Sequence, residues 1–137
     1  MSLVIHSSAT LAWIYPEETT EAIGQVFDQV IESGAWVPSL WRLEVANVLE
    51  MGVRRRRHDA AFRYESLSDL ALLPIKQDPD THAQAWGATL ELAALHSLTL
   101  YDAAYLELAL RRRLPLATLD GDLRTAAQAE TVELLGL

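Results

Sequence analysis

Short apolar runs alternate with longer amphipathic segments along the whole chain. The apolar runs are rich in β-branched residues or bounded by turn residues, and they predict five short strands. These strands are Leu3–His6, Trp36–Pro38, Leu72–Ile75, Leu116–Thr118 and Val132–Leu134. Apolar positions repeating every 3.6 residues, with capping residues before them, predict the helices between the strands. The helices are Ser8–Ile14, Glu17–Glu32, Ser39 to the arginines at 54–57, His58 or Asp59 to Leu70, Asp78–Leu95, Thr99–Arg113 and Asp120–Ala129.

Strands that alternate with helices predict an α/β fold. Each helix then makes a right-handed crossover between parallel strands, so the sheet is covered on both faces. No internal repeat, linker or low-complexity segment interrupts the pattern over the 137 residues. We therefore expect one domain spanning 1–137.

Polar residues follow the strands where such a sheet binds its ligands, which is beyond the carboxyl ends of the strands. His6 and Ser8 follow the first strand, and Thr118 and Asp120 follow the fourth. Asp102 begins the helix that leads into the fourth strand. A further candidate, Glu44, lies in an apolar helix, and Asn47, three residues later, lies on the same face.

Carboxylates gathered from distant segments repel one another unless a divalent cation neutralises them. Glu44, Asp102 and Asp120 therefore indicate a Mg²⁺ or Mn²⁺ site. Each also has a structural alternative. Thr99 and Asp102 have the spacing of a capping box, Asp120 and Ser8 suit helix N-caps, and His6 suits the end of a strand.

Composition narrows the classes of function. The chain has no cysteine, which excludes disulfides and thiolate chemistry and fits a reducing cytoplasm. No apolar run approaches the ~20 residues that a membrane span needs.

The distribution of charge is uneven. The net charge of −8 argues against broad attraction to a polyanion, yet two arginine runs hold seven of the eleven basic residues. The first run is Arg54, Arg55, Arg56 and Arg57, and the second is Arg111–Arg113. We interpret the second run as a solvated helix end, where arginine complements the helix dipole. The first run is equally well interpreted as a helix end or as a set of RNA contacts.

The ordered set of segments resembles the PIN domain, and more narrowly the VapC toxin branch. The segments that carry the resemblance cover nearly the whole chain. They are Val4–Ser8 with Ala12-Trp13, Pro38–Leu40 with Glu44–Asn47, Leu98–Leu106, and Thr118–Asp120.

This resemblance implies an α/β/α sandwich with a parallel central sheet, commonly found as a homodimer. It also implies a Mg²⁺- or Mn²⁺-dependent endoribonuclease that a cognate antitoxin holds inactive. Glu44, Asp102 and Asp120 match the acidic positions of the family, and Ser8 and Thr118 match small hydroxyl residues near the metal. Asp122 matches an outer acid. The family's first aspartate falls on His6.

His6 separates two hypotheses about function. A neutral imidazole is a poor Mg²⁺ ligand but suits Mn²⁺, so an active endoribonuclease is expected to bind Mg²⁺ weakly and to shift towards Mn²⁺. In that enzyme, Asp102 or Asp120 orients the attacking water. The alternative is a catalytically impaired PIN-like protein that binds RNA or an antitoxin peptide without cleavage.

Overall fold

A single five-stranded parallel sheet forms the centre of the molecule, in a computed structural model that describes residues 1–137. The strands are β1 (Leu3–Ile5), β2 (Ala35–Val37), β3 (Ile75–Gln77), β4 (Leu116–Ala117) and β5 (Leu134–Leu135). Their order across the sheet is β3-β2-β1-β4-β5. The register sets Val4 opposite both Trp36 and Leu116. The α/β fold class and the parallel sheet expected from the sequence are confirmed.

Eight α-helices connect the strands. They are α1 (Ser7–Ile14), α2 (Glu21–Ser33), α3 (Trp41–Arg54), α4 (Ala60–Ala71), α5 (Thr81–Gln84), α6 (Ala88–His96), α7 (Leu100–Arg112) and α8 (Gly121–Ala129). A short 3₁₀ helix, Pro16–Glu18, lies between α1 and α2. No helix combines the length and the apolar character needed to cross a membrane.

The central position of β1 explains its continuous apolar sequence. With a strand on each side and helices on both faces, Leu3, Val4 and Ile5 are fully buried. On one side of the sheet α7 contributes its own buried stretch from Ala103 to Ala109, which packs against β1 and β4. The strand and the helix that carry the candidate site residues therefore belong to the best-packed part of the molecule.

Two strands lie a few residues away from their predicted positions. The third strand was expected at Leu72–Ile75 but begins only at Ile75, because Leu72 ends α4 and Pro74 has no N–H for a sheet ladder. Only the carbonyl of Pro74 pairs, accepting from the N–H of Ala35. The last strand, expected at Val132–Leu134, is Leu134–Leu135.

Three helix predictions were also wrong in detail. Glu17 and Glu18 form the separate 3₁₀ turn, and α2 begins after Thr20, whose side chain caps it. The helix expected from Asp78 to Leu95 is broken, and Gly87 supplies the non-helical residue before α6. Ser39 does not cap α3, since a turn closed by the Trp41 N–H and the Pro38 carbonyl delays the start of that helix.

The interpretation of Arg111–Arg113 as a solvated helix end was wrong for two of its three residues. Arg111 and Arg112 both donate hydrogen bonds to Asp78, whose side chain is fully buried at the end of β3. Arg111 also pairs with the buried Glu107 one turn earlier. Only Arg113 is exposed.

Candidate active site at the carboxyl edge of the sheet

His6 lies at the centre of the polar residues beyond β1. It directly follows β1 and is held in the ladder by a 2.9 Å bond from its N–H to the carbonyl of Ala117 in β4. The residue is 5% exposed. The imidazole Nε2 lies 2.9 Å from Asp102 Oδ1, and Nδ1 lies 2.8 Å from Ser8 Oγ and 3.1 Å from Thr118 Oγ1. Both ring nitrogens are therefore occupied by protein partners.

These contacts define the tautomer of the ring. The backbone N–H of Ser8 donates to Nδ1 at 3.3 Å, so Nδ1 must carry a lone pair. The proton then belongs on Nε2, where it is donated to the carboxylate of Asp102. A cation that took Nε2 as a ligand would displace this proton and break the bond to Asp102.

Asp102 reaches His6 because α7 begins at the same edge of the sheet. Thr99 caps the helix, accepting a 3.1 Å bond from the Asp102 N–H. A full capping box would also need the Asp102 carboxylate to accept from the Thr99 N–H, and this second bond is absent. The cap therefore explains the backbone position of Asp102, but its carboxylate is turned across the molecule to a residue 96 positions earlier.

Glu44 joins the same region through a residue that sequence reasoning missed. The hydroxyl of Tyr105 donates a 2.6 Å hydrogen bond to Glu44 Oε1. The Tyr105 ring also packs edge-on against the imidazole of His6, with 4.6 Å between the ring centroids. Burial raises the pKa of Glu44 above its usual value, and the nearby Asp102 carboxylate adds to the rise; the bond from Tyr105 and the proximity of His6 oppose it. Glu44 and Asp102 therefore influence each other electrostatically.

Two hydroxyl side chains connect β1 to β4 at this edge. Ser8 Oγ lies 3.3 Å from Thr118 Oγ1 and accepts a 2.9 Å bond from the N–H of Leu119. Thr118 accepts from the N–H of Asp120 at 3.1 Å. Asp120 in turn caps α8, where its Oδ2 accepts from the Leu123 N–H at 2.9 Å. The N-cap alternative for Asp120 is thus correct, and its second oxygen, Oδ1, has no protein partner.

Two further acidic or amide candidates lie outside this network. Asn47 is exposed on α3 and makes no hydrogen bond to Glu44. Asp122 is exposed in the first turn of α8. Neither side chain makes a hydrogen bond to His6, Asp102 or Glu44, so their roles in the site stay predictions.

The first arginine run lies at the opposite end of α3, ten residues or about 15 Å from Glu44. Two of its members have carboxylate partners: Arg54 pairs with Glu50, and Arg57 pairs with Glu17 and Glu18. The other two have none. Arg55 is the C-cap of α3, and Arg56 follows it with a left-handed backbone at φ 59°.

The helix-end interpretation of this run is therefore correct for its backbone. Arg54 is the last residue of α3, and the N–H groups of Arg55 and Arg56 donate to carbonyls of the last helical turn. The side chains of Arg55 and Arg56 are exposed and form neither an ion pair nor a hydrogen bond within the chain. The polar residues beyond the carboxyl ends of β1 and β4 form what we call the polar edge: His6, Ser8, Glu44, Asp102, Thr118 and Asp120. The arginine run lies apart from the polar edge, and none of its guanidinium groups pairs with a carboxylate there.

The fold and the polar edge together define an α/β protein with an acidic site beyond parallel strands. The PIN domain family model matches residues 3–129, so the chain belongs to the PIN domain family. In the same fold, the crystal structure of PAE2754 from Pyrobaculum aerophilum is similar to this chain. The TM-score is 0.70 at 23% identity, covering 98% of this chain and 83% of that one. No protein with curated function matches. PIN domains are generally nucleases, and they typically use divalent metal ions.

The donors at the edge fit a divalent cation of intermediate hardness. Asp102, Glu44 and Asp120 each have one carboxylate oxygen with no protein partner. Mixed imidazole and carboxylate ligands suit Mn²⁺ better than Mg²⁺. However, no three His, Asp or Glu side chains already stand together closely enough to hold an ion.

Proposed function

We propose that this protein is a divalent-metal-dependent endoribonuclease, the toxin of a toxin–antitoxin pair, with a site that favours Mn²⁺ over Mg²⁺. The observation that carries the proposal is the bond between His6, at the carboxyl end of β1, and Asp102, in the first turn of α7, with Glu44 linked through Tyr105. Membership in the PIN domain family supports nuclease chemistry at this edge.

The side chains have distinct roles in this proposal. A bound cation would polarise the scissile phosphate and lower the pKa of an attacking water. Glu44, Asp102 and His6 would hold the cation, and Asp120 would orient the water through its free oxygen. Ser8 and Thr118 keep the His6 ring fixed, so they support the site without contacting the substrate.

RNA contact is proposed for the exposed arginines at the end of α3. Arg55 and Arg56 have no carboxylate partner within the chain, so they can bind phosphates without breaking an ion pair. Arg54 and Arg57 would first have to leave their glutamate partners. Because the run begins about 15 Å along α3 from Glu44, its arginines would hold the RNA strand and take no part in the cleavage step.

The proposed partners are a cognate antitoxin and a second copy of the chain. The net charge of −8 and the acidic edge favour a basic antitoxin segment. Several large apolar side chains remain exposed, and such side chains favour burial against another protein. Apart from the first and last residues of the chain, the most exposed of them are Leu43, Leu72, Trp86 and Leu95. Light scattering of the purified protein would show a dimer if the second copy is correct.

A second candidate function is binding of RNA or an antitoxin peptide without cleavage. The observation that favours it is the complete use of both His6 ring nitrogens by Asp102, Ser8 and Thr118. Because both nitrogens of the His6 imidazole already have hydrogen-bond partners, the ring would have to break its bond to Asp102 before it could bind a cation. In this case His6 substitutes for the cation by donating to a carboxylate that would otherwise be unpaired.

Cleavage of end-labelled RNA by the purified protein separates the two candidates. We expect cleavage with Mn²⁺, much slower cleavage with Mg²⁺, and none after chelation. Glu44→Gln should reduce the rate at least about 100-fold, because it removes a charge from the site while keeping an acceptor for Tyr105. Glu91→Gln, at an exposed position on α6, is the matched control and should cleave normally. RNA binding with no chelator-sensitive cleavage would instead establish the second candidate.

A further inference from the structure

Tyr105 has an unusual place among the aromatic side chains of the molecule. It is the largest fully buried residue, yet its hydroxyl and its ring both contact residues of the candidate site. It lies on α7 three residues after Asp102, about one helical turn away. It thus connects two site residues, His6 directly after β1 and Glu44 on α3.

The hydroxyl of Tyr105 donates a hydrogen bond to Glu44. Its bond engages Oε1 of Glu44 and leaves Oε2 without a protein partner. The bond therefore selects one orientation of a carboxylate that would otherwise rotate freely.

The ring of Tyr105 limits His6 in a similar way. The two rings pack edge-on at an interplanar angle of 81°, and this contact restricts rotation of the imidazole on one side. On the other side, Ser8 and Thr118 hold Nδ1. The imidazole plane is consequently fixed by packing and hydrogen bonds together.

We propose that Tyr105 is the positioning residue of the site, which holds the Glu44 carboxylate through its hydroxyl and the His6 imidazole through its ring. This inference rests on the proposed function, because Glu44 and His6 are two of the residues that would hold the cation. Residues that orient metal ligands from behind typically contribute 10- to 100-fold to metal affinity.

Tyr105→Phe tests the inference, because it removes the hydroxyl alone and keeps the ring. Two measurements are needed: a crystal structure of the metal-free variant, and Mn²⁺ affinity by electron paramagnetic resonance of the free ion. We expect the Glu44 carboxylate to leave its position while the backbone is unchanged, and Mn²⁺ to bind about 10-fold or more weakly. Tyr64→Phe, at an exposed position on α4, is the control and should bind Mn²⁺ like the natural chain.

The two measurements separate failure of the inference from failure of the proposed function. If Glu44 keeps its position in Tyr105→Phe, or if it moves and Mn²⁺ affinity stays the same, the positioning role is overturned. If the natural chain itself binds no Mn²⁺, the metal-dependent function fails. The orientation of Glu44 in the variant structure then still decides whether Tyr105 positions it.

Discussion

At the scale of single residues, His6 controls the electrostatics of the candidate site. Aspartate at this position would place a third carboxylate beside Asp102 and Glu44, and a cation would be needed to offset their repulsion. The imidazole removes that charge and donates a hydrogen bond to Asp102 instead. In the metal-free site the imidazole and one oxygen of Asp102 are therefore already paired, and we expect this pairing to disfavour Mg²⁺ binding.

The substitution His6→Asp tests this view through stability. Without metal, the variant loses the bonds to Asp102 and Ser8 and gains carboxylate repulsion, so its free energy of unfolding should fall by about 1–3 kcal/mol. Mg²⁺ should restore about 2.7 kcal/mol once it reaches 100 times its dissociation constant. Urea unfolding at pH 7, with and without Mg²⁺, measures both effects.

A second histidine–carboxylate pair provides the matched control for His6→Asp. His96 Nε2 lies 3.2 Å from Glu130 Oε2; the pair is also partly buried, and it makes no hydrogen bond to His6, Glu44, Asp102 or Asp120. His96→Asp should lose stability without any recovery in Mg²⁺. Equal Mg²⁺ responses of the two variants would show that His6 does not lie in a cation site.

Residue-level reasoning from the sequence located most of the polar edge but not its internal contacts. His6, Ser8 and Thr118 could be predicted because they directly follow strands. Tyr105 could not, since an aromatic residue among Ala103, Ala104 and Leu106 has the pattern of an ordinary core position. Its spacing of three residues from Asp102 was the one available signal.

At the scale of secondary-structure elements, Asp78 holds the edge strand β3 against the last turn of α7. Its side chain is fully buried and receives hydrogen bonds from Arg111 and Arg112. The Arg112 guanidinium also lies 3.6 Å above the ring centre of Trp36 in β2. Because α7 carries Asp102 and Tyr105 at its other end, this ion-pair cluster fixes the axis of the helix that supplies the site.

Asp78→Asn should therefore destabilise the fold strongly. It keeps the size of the side chain but leaves Arg112 without a buried counter-charge and Arg111 with Glu107 alone, a loss of about 3 kcal/mol for a broken buried pair. Asp80→Asn is the control, since Asp80 is 60% exposed and 3.9 Å from Arg111, and it should change stability by less than about 0.5 kcal/mol. Urea unfolding of both variants at pH 7 is the measurement, and equal stabilities would contradict a structural role for the buried pair.

The same cluster predicts a pH dependence of stability. Burial alone would raise the pKa of Asp78, but the hydrogen bonds and charges of Arg111 and Arg112 lower it below the usual value. A carboxyl whose pKa is lowered by folding stabilises the protein above its unfolded pKa of about 3.9 and loses this contribution as pH falls through the folded value. The stability gap between the natural chain and Asp78→Asn should therefore narrow below about pH 4.

The elements that sequence reasoning predicted well share strong local signals. Thr99 and Asp120 cap α7 and α8 as expected, and the apolar run of β1 is unambiguous. The predicted bounds were wrong where a single residue interrupts a strand or helix that the apolar pattern alone would continue. Pro74 delays the start of β3, and Gly87 separates α6 from the residues before it. Asp78 escaped notice because its arginine partners lie more than thirty residues later, and sequence spacing does not reveal such a contact.

At the scale of the whole molecule, the topology of the sheet explains why the candidate site residues meet at its carboxyl edge. Parallel strands lead into α1, α3 and α8 at the same edge of the sheet, and α7, which precedes β4, also begins at that edge. This arrangement brings residues that are about 100 positions apart in the chain, such as His6 and Asp102, into direct contact. The alternation of strands and helices predicts the parallel sheet, whereas the strand order and the side-chain contacts depend on packing between distant segments.

The central claim is that His6, Glu44 and Asp102 form a cation site that prefers Mn²⁺. A crystal of the natural chain soaked in Mn²⁺, measured by anomalous scattering, tests it most directly. The account predicts one anomalous peak about 2.1 Å from His6 Nε2 and from oxygens of Asp102 and Glu44. A map in which His6 still donates to Asp102, with no peak at the carboxyl ends of β1 and β4, would contradict it.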